Sequence, residues 1–225
     1  MSTKEMAIEI VETMTRRNKW LCFAESCTAG GVPKVITSVP GASKMFLGGL
    51  TAYAPEALAE FLSMSLSEIE EKGVVSETVA AALANHGLHR FRGDICIGTT
   101  GYLGPFEDGL PEHHEAWVAV VYRDGAKHKF LLTEKLHLEG RREANRQAML
   151  RAAFGLVLKA FRQEAGVELK IKNVVEYPDG RRRMIFNDAD LVEAQEGNAR
   201  FICESAHQDG RFDYTCSHPY CRCKD

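Results

Sequence analysis

The chemistry-bearing residues concentrate in Glu25-Ser26-Cys27-Thr28-Ala29-Gly30-Gly31. This stretch follows the apolar run Trp20 to Ala24, which reads as a buried strand. A small, polar, glycine-bearing turn comes next, and Gly31 to Ser38 continues as a helix. A hydroxyl and a thiol therefore stand where a strand hands over to a helix. Backbone N–H groups at a helix start lack partners and carry partial positive charge. Two roles fit Ser26 there: a nucleophile beside an oxyanion or phosphate site, or, as for Thr28, a plain helix cap. On spacing alone the cap is the simpler reading.

Positioning these groups takes a set of alternating elements. A helix is predicted over Lys4 to Arg17, with Met6, Ile8, Ile10, Val11 and Met14 near helical spacing. Strands are predicted at Phe46 to Tyr53 and Asp94 to Thr100. Ser67, three residues before Glu70, has the pattern of a helix cap. Ser76 to His89 is a helix with Val79, Ala80, Leu83, Ala84 and Leu88 inward. Ala116 to Tyr122 and Lys127 to Thr133 form a hairpin around Asp124-Gly125. Arg141 to Gln163 is a long amphipathic helix, burying Met149, Ala152, Ala153, Leu156, Val157, Ala160 and Phe161. This order predicts an α/β fold, a layered αβα sandwich with a mixed sheet. Beyond it, 168–177 and 181–186 flank Pro178-Asp179-Gly180, and 199–206 and 211–217 flank Asp209-Gly210. They predict a small C-terminal antiparallel β module.

The chain of 225 residues is 45% hydrophobic and 26% charged, with net charge -3. That is an ordinary globular composition and carries no broad electrostatic footprint for nucleic acid. Arg181-Arg182-Arg183, the one basic run, reads as a solvated hairpin edge. No apolar stretch approaches the ~20 residues of a membrane helix, and Met1 to Lys19 lacks the pattern of a signal peptide. A cytoplasmic location is expected, where cysteines are thiols, metal ligands or catalytic groups more often than disulfides. Of seven cysteines, Cys22, Cys27 and Cys96 are scattered and four cluster at the end. This shift puts a boundary near Ala165-Gly166, dividing 1–165 from 166–225.

Further pieces stand in order: Val39-Pro40-Gly41-Ala42-Ser43, Phe46-Leu47-Gly48-Gly49, Tyr53, Gly73 to Glu77, Thr100-Gly101 with Gly104-Pro105, and Gly140 with Arg142 and Arg146. With Ala24 to Thr28, they resemble the C-terminal domain of the competence/damage-inducible protein CinA over about residues 5–163. Stand-alone members include nicotinamide-nucleotide amidohydrolases. The resemblance implies hydrolysis of the carboxamide of nicotinamide mononucleotide. Ser26 would be the nucleophile, releasing ammonia and leaving an acyl-enzyme that water cleaves to nicotinate mononucleotide. It implies pocket-lining N–H groups at Thr28 and Gly30, close ligand approach at Thr100-Gly101, and a phosphate grip by Arg142 and Arg146. It implies no catalytic cofactor, a small pyridine nucleotide as ligand, and a homo-oligomer.

One position departs from the family pattern. Where family members read Tyr-Ser-Asn-Glu-Ala-Lys, with the lysine activating the serine, this chain reads Tyr53-Ala54-Pro55-Glu56-Ala57-Leu58. Leucine accepts no proton, and losing general-base help costs ~10²–10⁴-fold. Tyr53, His113 and His114 are the candidate substitutes. A catalytically silent nucleotide-binding member, acting through its tail, is the second reading.

In the tail, a turn at Asp209-Gly210 sets Cys203 opposite Cys216, and Pro219 brings Cys221 and Cys223 near. With His207 and His218 these residues make a candidate tetrahedral zinc site. A Cys203–Cys216 disulfide and free thiols are the alternatives.

Overall fold

The computed structural model describes residues 1–104, 114–124 and 128–162, and the strand segments 167–168, 173–176, 182–185 and 200–201. Two compact units divide the chain, one of residues 1–122 and 130–167, the other of 123–129 and 168–225.

Helices and strands interleave over residues 3–161. They are α1 (Thr3–Arg17), β1 (Leu21–Glu25), α2 (Gly31–Thr37), β2 (Phe46–Thr51), α3 (Pro55–Leu62), α4 (Leu66–Lys72), α5 (Glu77–Phe91), β3 (Ile95–Gly101), β4 (Glu115–Asp124), β5 (His128–His137) and α6 (Arg142–Phe161). The sheet runs β2-β1-β3-β4-β5, and the two-residue β6 (Val167–Glu168) continues its edge. β1 pairs in parallel with both β2 and β3, whereas β4 is antiparallel to β3. This is the mixed sheet that the sequence predicts.

Two apolar clusters lie on its faces. One gathers α1, α2 and α6 residues, including Ile10, Met14, Val32, Ile36, Phe154 and Val157, around Phe23 and Ile97. The other gathers Leu58, Leu62, Ile69, Val79 and Leu83 from α3, α4 and α5. The layers are thus α1/α2/α6, sheet, and α3/α4/α5. Connections after β1 and β2 leave on opposite faces, which opens a crevice at the carboxyl ends of the parallel strands.

Several local expectations need correction. Ile8 is exposed, and Ala7 takes the inward position on α1. The cap of α4 is Ser65, reciprocally bonded with Glu68, not Ser67 with Glu70. α3 is covered by none of the predicted elements, which leave Ala54 to Leu58 unassigned. Pro55 instead starts a helix at its first turn, where its missing N–H costs nothing. β2 accordingly ends at Thr51, two residues short of Tyr53.

In the second unit, β7 (Asn173–Glu176) pairs antiparallel with β8 (Arg182–Ile185), flanking the predicted Pro-Asp-Gly turn. β9 (Arg200–Phe201) pairs with the other edge of β7. Cys203, His207, Cys216, His218, Cys221 and Cys223 lie outside the described residues.

Candidate active site

The crevice is built at the end of β1. The Ser26 N–H donates to the Thr99 carbonyl at 3.1 Å, and the Ala52 N–H to the Glu25 carbonyl at 2.8 Å. The turn is thereby tied to β3 and to the end of β2. Ala29 and Gly30 both adopt positive φ, 50° and 91°. These successive left-handed residues reverse the chain into α2, and Gly30 does so at no steric cost. Ser26 is half-buried at the head of this turn.

Glu25 organises it. The side chain is fully buried. Its carboxylate accepts the Gly30 N–H at 2.5 Å, the Thr51 hydroxyl at 3.2 Å and the Thr28 hydroxyl. Burial raises the Glu25 pKa; the Thr28, Gly30 and Thr51 donors oppose that rise, and the nearby Val32 N–H adds a smaller effect of the same sign. The Gly30 N–H, expected to line a ligand pocket, donates to Glu25 in this structure. The Thr28 hydroxyl is likewise spent inside the turn. Spacing in the motif assigns Glu25 no role. The available signal was a carboxylate at the inner end of an apolar strand.

Cys27 packs into the core, and burial pushes its thiol up to about 12. The Arg142 charge acts on it, and the Thr99 hydroxyl is buried without a hydrogen-bond partner among the described residues. A thiol so raised is inert near neutral pH, which leaves Ser26 as the nucleophile candidate of this turn.

The third strand contributes through its packing. The Thr100 hydroxyl donates to the Val74 carbonyl at 2.7 Å, holding the α4–α5 connection. A Cβ on Gly101 would stand 2.3 Å from the Ala116 Cβ. The close packing of β4 by itself requires a glycine there. Tyr102 beyond it is 39% exposed, and Leu103 is buried.

α6 closes the site. Arg142 donates to the Gly104 carbonyl at 2.5 Å and to the Tyr53 hydroxyl at 3.0 Å. It spans the exits of β2 and β3. Tyr53 is 59% exposed, so its ring is open to a ligand while its oxygen is held. Arg146 instead pairs with Glu143 at 2.5 Å, and its Nε is buried without a hydrogen-bond partner. The Lys34 charge from α2 acts on the same Glu143 carboxylate. Asn145, to which spacing assigns no role, is buried. Its amide donates to Leu103 and Gly140 carbonyls and accepts the Gly140 N–H, fixing the loop against α6.

The lysine position is decided by packing. Leu58 is 1% exposed and lies within the α3/α4/α5 cluster, beside Ala24 and Ala52. Among the candidate substitutes, the His114 ring nitrogen Nδ1 contacts the Leu138 carbonyl at 2.9 Å and the ring stacks on His137. His113 lies outside the described residues. No group of three metal-ligating side chains occurs among the described residues.

The CinA C-terminal domain model matches residues 3–161. The chain belongs to that family. A nicotinamide-nucleotide amidohydrolase of Enterobacter agglomerans is 34% identical over 63% of this chain and 85% of its own length. A CinA-like protein of a Picosynechococcus strain is 35% identical over 61% of this chain, which spans only 33% of that relative. Several other CinA-like and competence-damage relatives are matched over only about a third of their length. Among solved structures, a CinA superfamily protein of Escherichia coli superposes with TM-score 0.62 at 27% identity, covering 71% of this chain and 90% of that one. A competence/damage-inducible protein of Agrobacterium tumefaciens gives 0.65 at 24% identity, over 72% and 96%, a likeness of fold.

Proposed function

We propose that this chain binds nicotinamide mononucleotide, or a close pyridine nucleotide, at the Ser26 turn, and that its amide hydrolysis is slow or absent. The relative that carries the amidohydrolase name supports the ligand class. In this reading, a serine, a positioned arginine and an open tyrosine face converge at the strand ends. Arg142 would exchange its Tyr53 contact for a phosphate oxygen, and the pyridine ring would stack on Tyr53. Ser26 Oγ would attack the carboxamide carbon, ammonia would leave, and water would cleave the acyl-enzyme.

Leu58 carries the second half of the proposal. Its burial puts an apolar side chain where the family resemblance implies a base, and the thiol beside Ser26 is inert. Serine without a base loses ~10²–10⁴-fold in rate. The test is ammonia release from nicotinamide mononucleotide beside a calorimetric titration with the same ligand. Binding without turnover, or with turnover at least ~100-fold below a lysine-bearing relative, is expected. Full-rate hydrolysis abolished by Ser26→Ala would show that another base serves. A homo-oligomeric state and a zinc-binding tail belong to the same proposal. No helix among the described residues is long and apolar enough to cross a membrane.

A further inference from the structure

We infer that Glu25 is a positioning residue for Ser26: its buried carboxylate is the acceptor around which the Ser26–Gly30 turn is folded. The inference rests on the assignment of Ser26 to the ligand site. Glu25 and Thr51 face each other in the β1–β2 register, and Glu25 and Thr99 in the β1–β3 register. The carboxylate therefore sits where three strand ends meet. One oxygen takes the Gly30 N–H and the Thr51 hydroxyl, and the other takes the Thr28 hydroxyl.

These contacts have a consequence for ligand binding. The N–H of Gly30, the residue that opens α2, is directed to an internal anion. A ligand phosphate cannot take that donor, which fits its assignment to Arg142. Glu25 thus does two things for the site. It fixes a turn containing two left-handed residues, one of them the non-glycine Ala29. It also keeps the ligand's charge from the start of α2, so that the reacting end of the ligand is left for Ser26.

Acceptor geometry is the requirement, and glutamine retains one acceptor. Its Oε1 can serve Gly30 and Thr51, and the Thr28 hydroxyl can turn to accept from its amide. Alanine removes the acceptor and leaves buried donors unsatisfied.

Two readouts on the full chain separate this inference from the functional proposal: amide hydrogen exchange at Gly30, and titration with nicotinamide mononucleotide. Glu25→Ala should speed Gly30 exchange at least ~10-fold, the scale of one lost buried hydrogen bond, while Ile97 in β3 stays protected. It should weaken ligand affinity by a similar factor. Glu25→Gln should hold both within ~3-fold of wild type, a rescue expected if acceptor geometry is what matters. If Glu25→Ala does not fold, Glu25→Asp replaces it: a shorter side chain cannot reach both Gly30 and Thr28, and the same local loosening is expected. Unchanged Gly30 exchange in the alanine or aspartate variant overturns the inference. So does loss of ligand affinity in a Glu25→Gln variant whose Gly30 exchange is unchanged, since charge would then be the requirement. A wild-type chain that binds no nicotinamide mononucleotide removes the functional proposal, and Gly30 exchange still decides whether Glu25 holds the turn.

Discussion

At the scale of single residues, Leu58 and Glu25 set the terms. Restoring a lysine at Leu58 looks, from the motif, like a repair. The packing says otherwise, because an ammonium would enter the apolar cluster of Leu62, Ile69 and Leu83. Burying an unpaired charge there costs several kcal/mol. Leu58→Lys should lower the thermal midpoint well below wild type and release no additional ammonia, checked by calorimetry and an ammonia assay on the same sample. Glu25 supplies a prediction in pH. Burial raises its pKa in the folded chain. Between the ordinary carboxylate value and this raised one, the folded state keeps a proton that the unfolded state has lost. The contribution of Glu25 to stability therefore falls as pH rises through that window, and levels off above the folded pKa. Glu25→Gln lacks this titration. The midpoint of the variant minus that of wild type should climb from about pH 4 upward and then flatten. A difference that is flat or falling would mean that the hydrogen bonds outweigh desolvation.

At the scale of elements, the site depends on how closely neighbours approach. A Cβ at Gly98 would lie 2.2 Å from the Ala80 carbonyl oxygen, so α5 seats directly on β3. That seating carries the α4–α5 connection to Thr100, and with it the alignment of the β3 exit. The start of α6 is fixed by Asn145 to the loop at Leu103, and Arg142 projects from this fixed turn. Arg142 is exposed and bridges two loops without entering the core. Arg142→Ala should shift stability by only about 0.5 kcal/mol. It should weaken nicotinamide mononucleotide binding by at least ~10-fold, since a charge-assisted contact is worth about 1.5–3 kcal/mol. Paired titrations with the mononucleotide and with its unphosphorylated riboside give the check: the riboside affinity should change little. Equal loss for both would place Arg142 away from the phosphate.

At the scale of the whole molecule, the α/β unit has its own two apolar clusters, and 166–225 carries the clustered cysteines. A structural metal would offset the small core of such a module. Protein purified without added zinc should contain roughly one equivalent, held by Cys203, Cys216 and two of Cys221, Cys223, His218 and His207. Chelation should loosen residues beyond about Gly166 and leave the α/β unit folded, followed by exchange mass spectrometry. Metal below a trace, with all four thiols titratable, would end the zinc proposal.

The sequence alone determined the elements whose periodicity is strong. The inward residues of α5 and α6, the strand at Leu21 to Glu25 and the turn after it were legible because apolar spacing and turn chemistry are local properties. The ordered motifs made the family legible as well. What only the tertiary structure decided was where polar groups spend their hydrogen bonds. Thr28, Gly30 and Thr100 have residue types suited to a ligand, yet their donors go to Glu25 and Val74. Gly101 is glycine because of Ala116, and Leu58 is leucine among α3, α4 and α5 neighbours. Each of these outcomes is set by partners distant in the chain or by the exact course of the turn, and neither is encoded in spacing. A donor's partner is fixed only when the chain has folded around it.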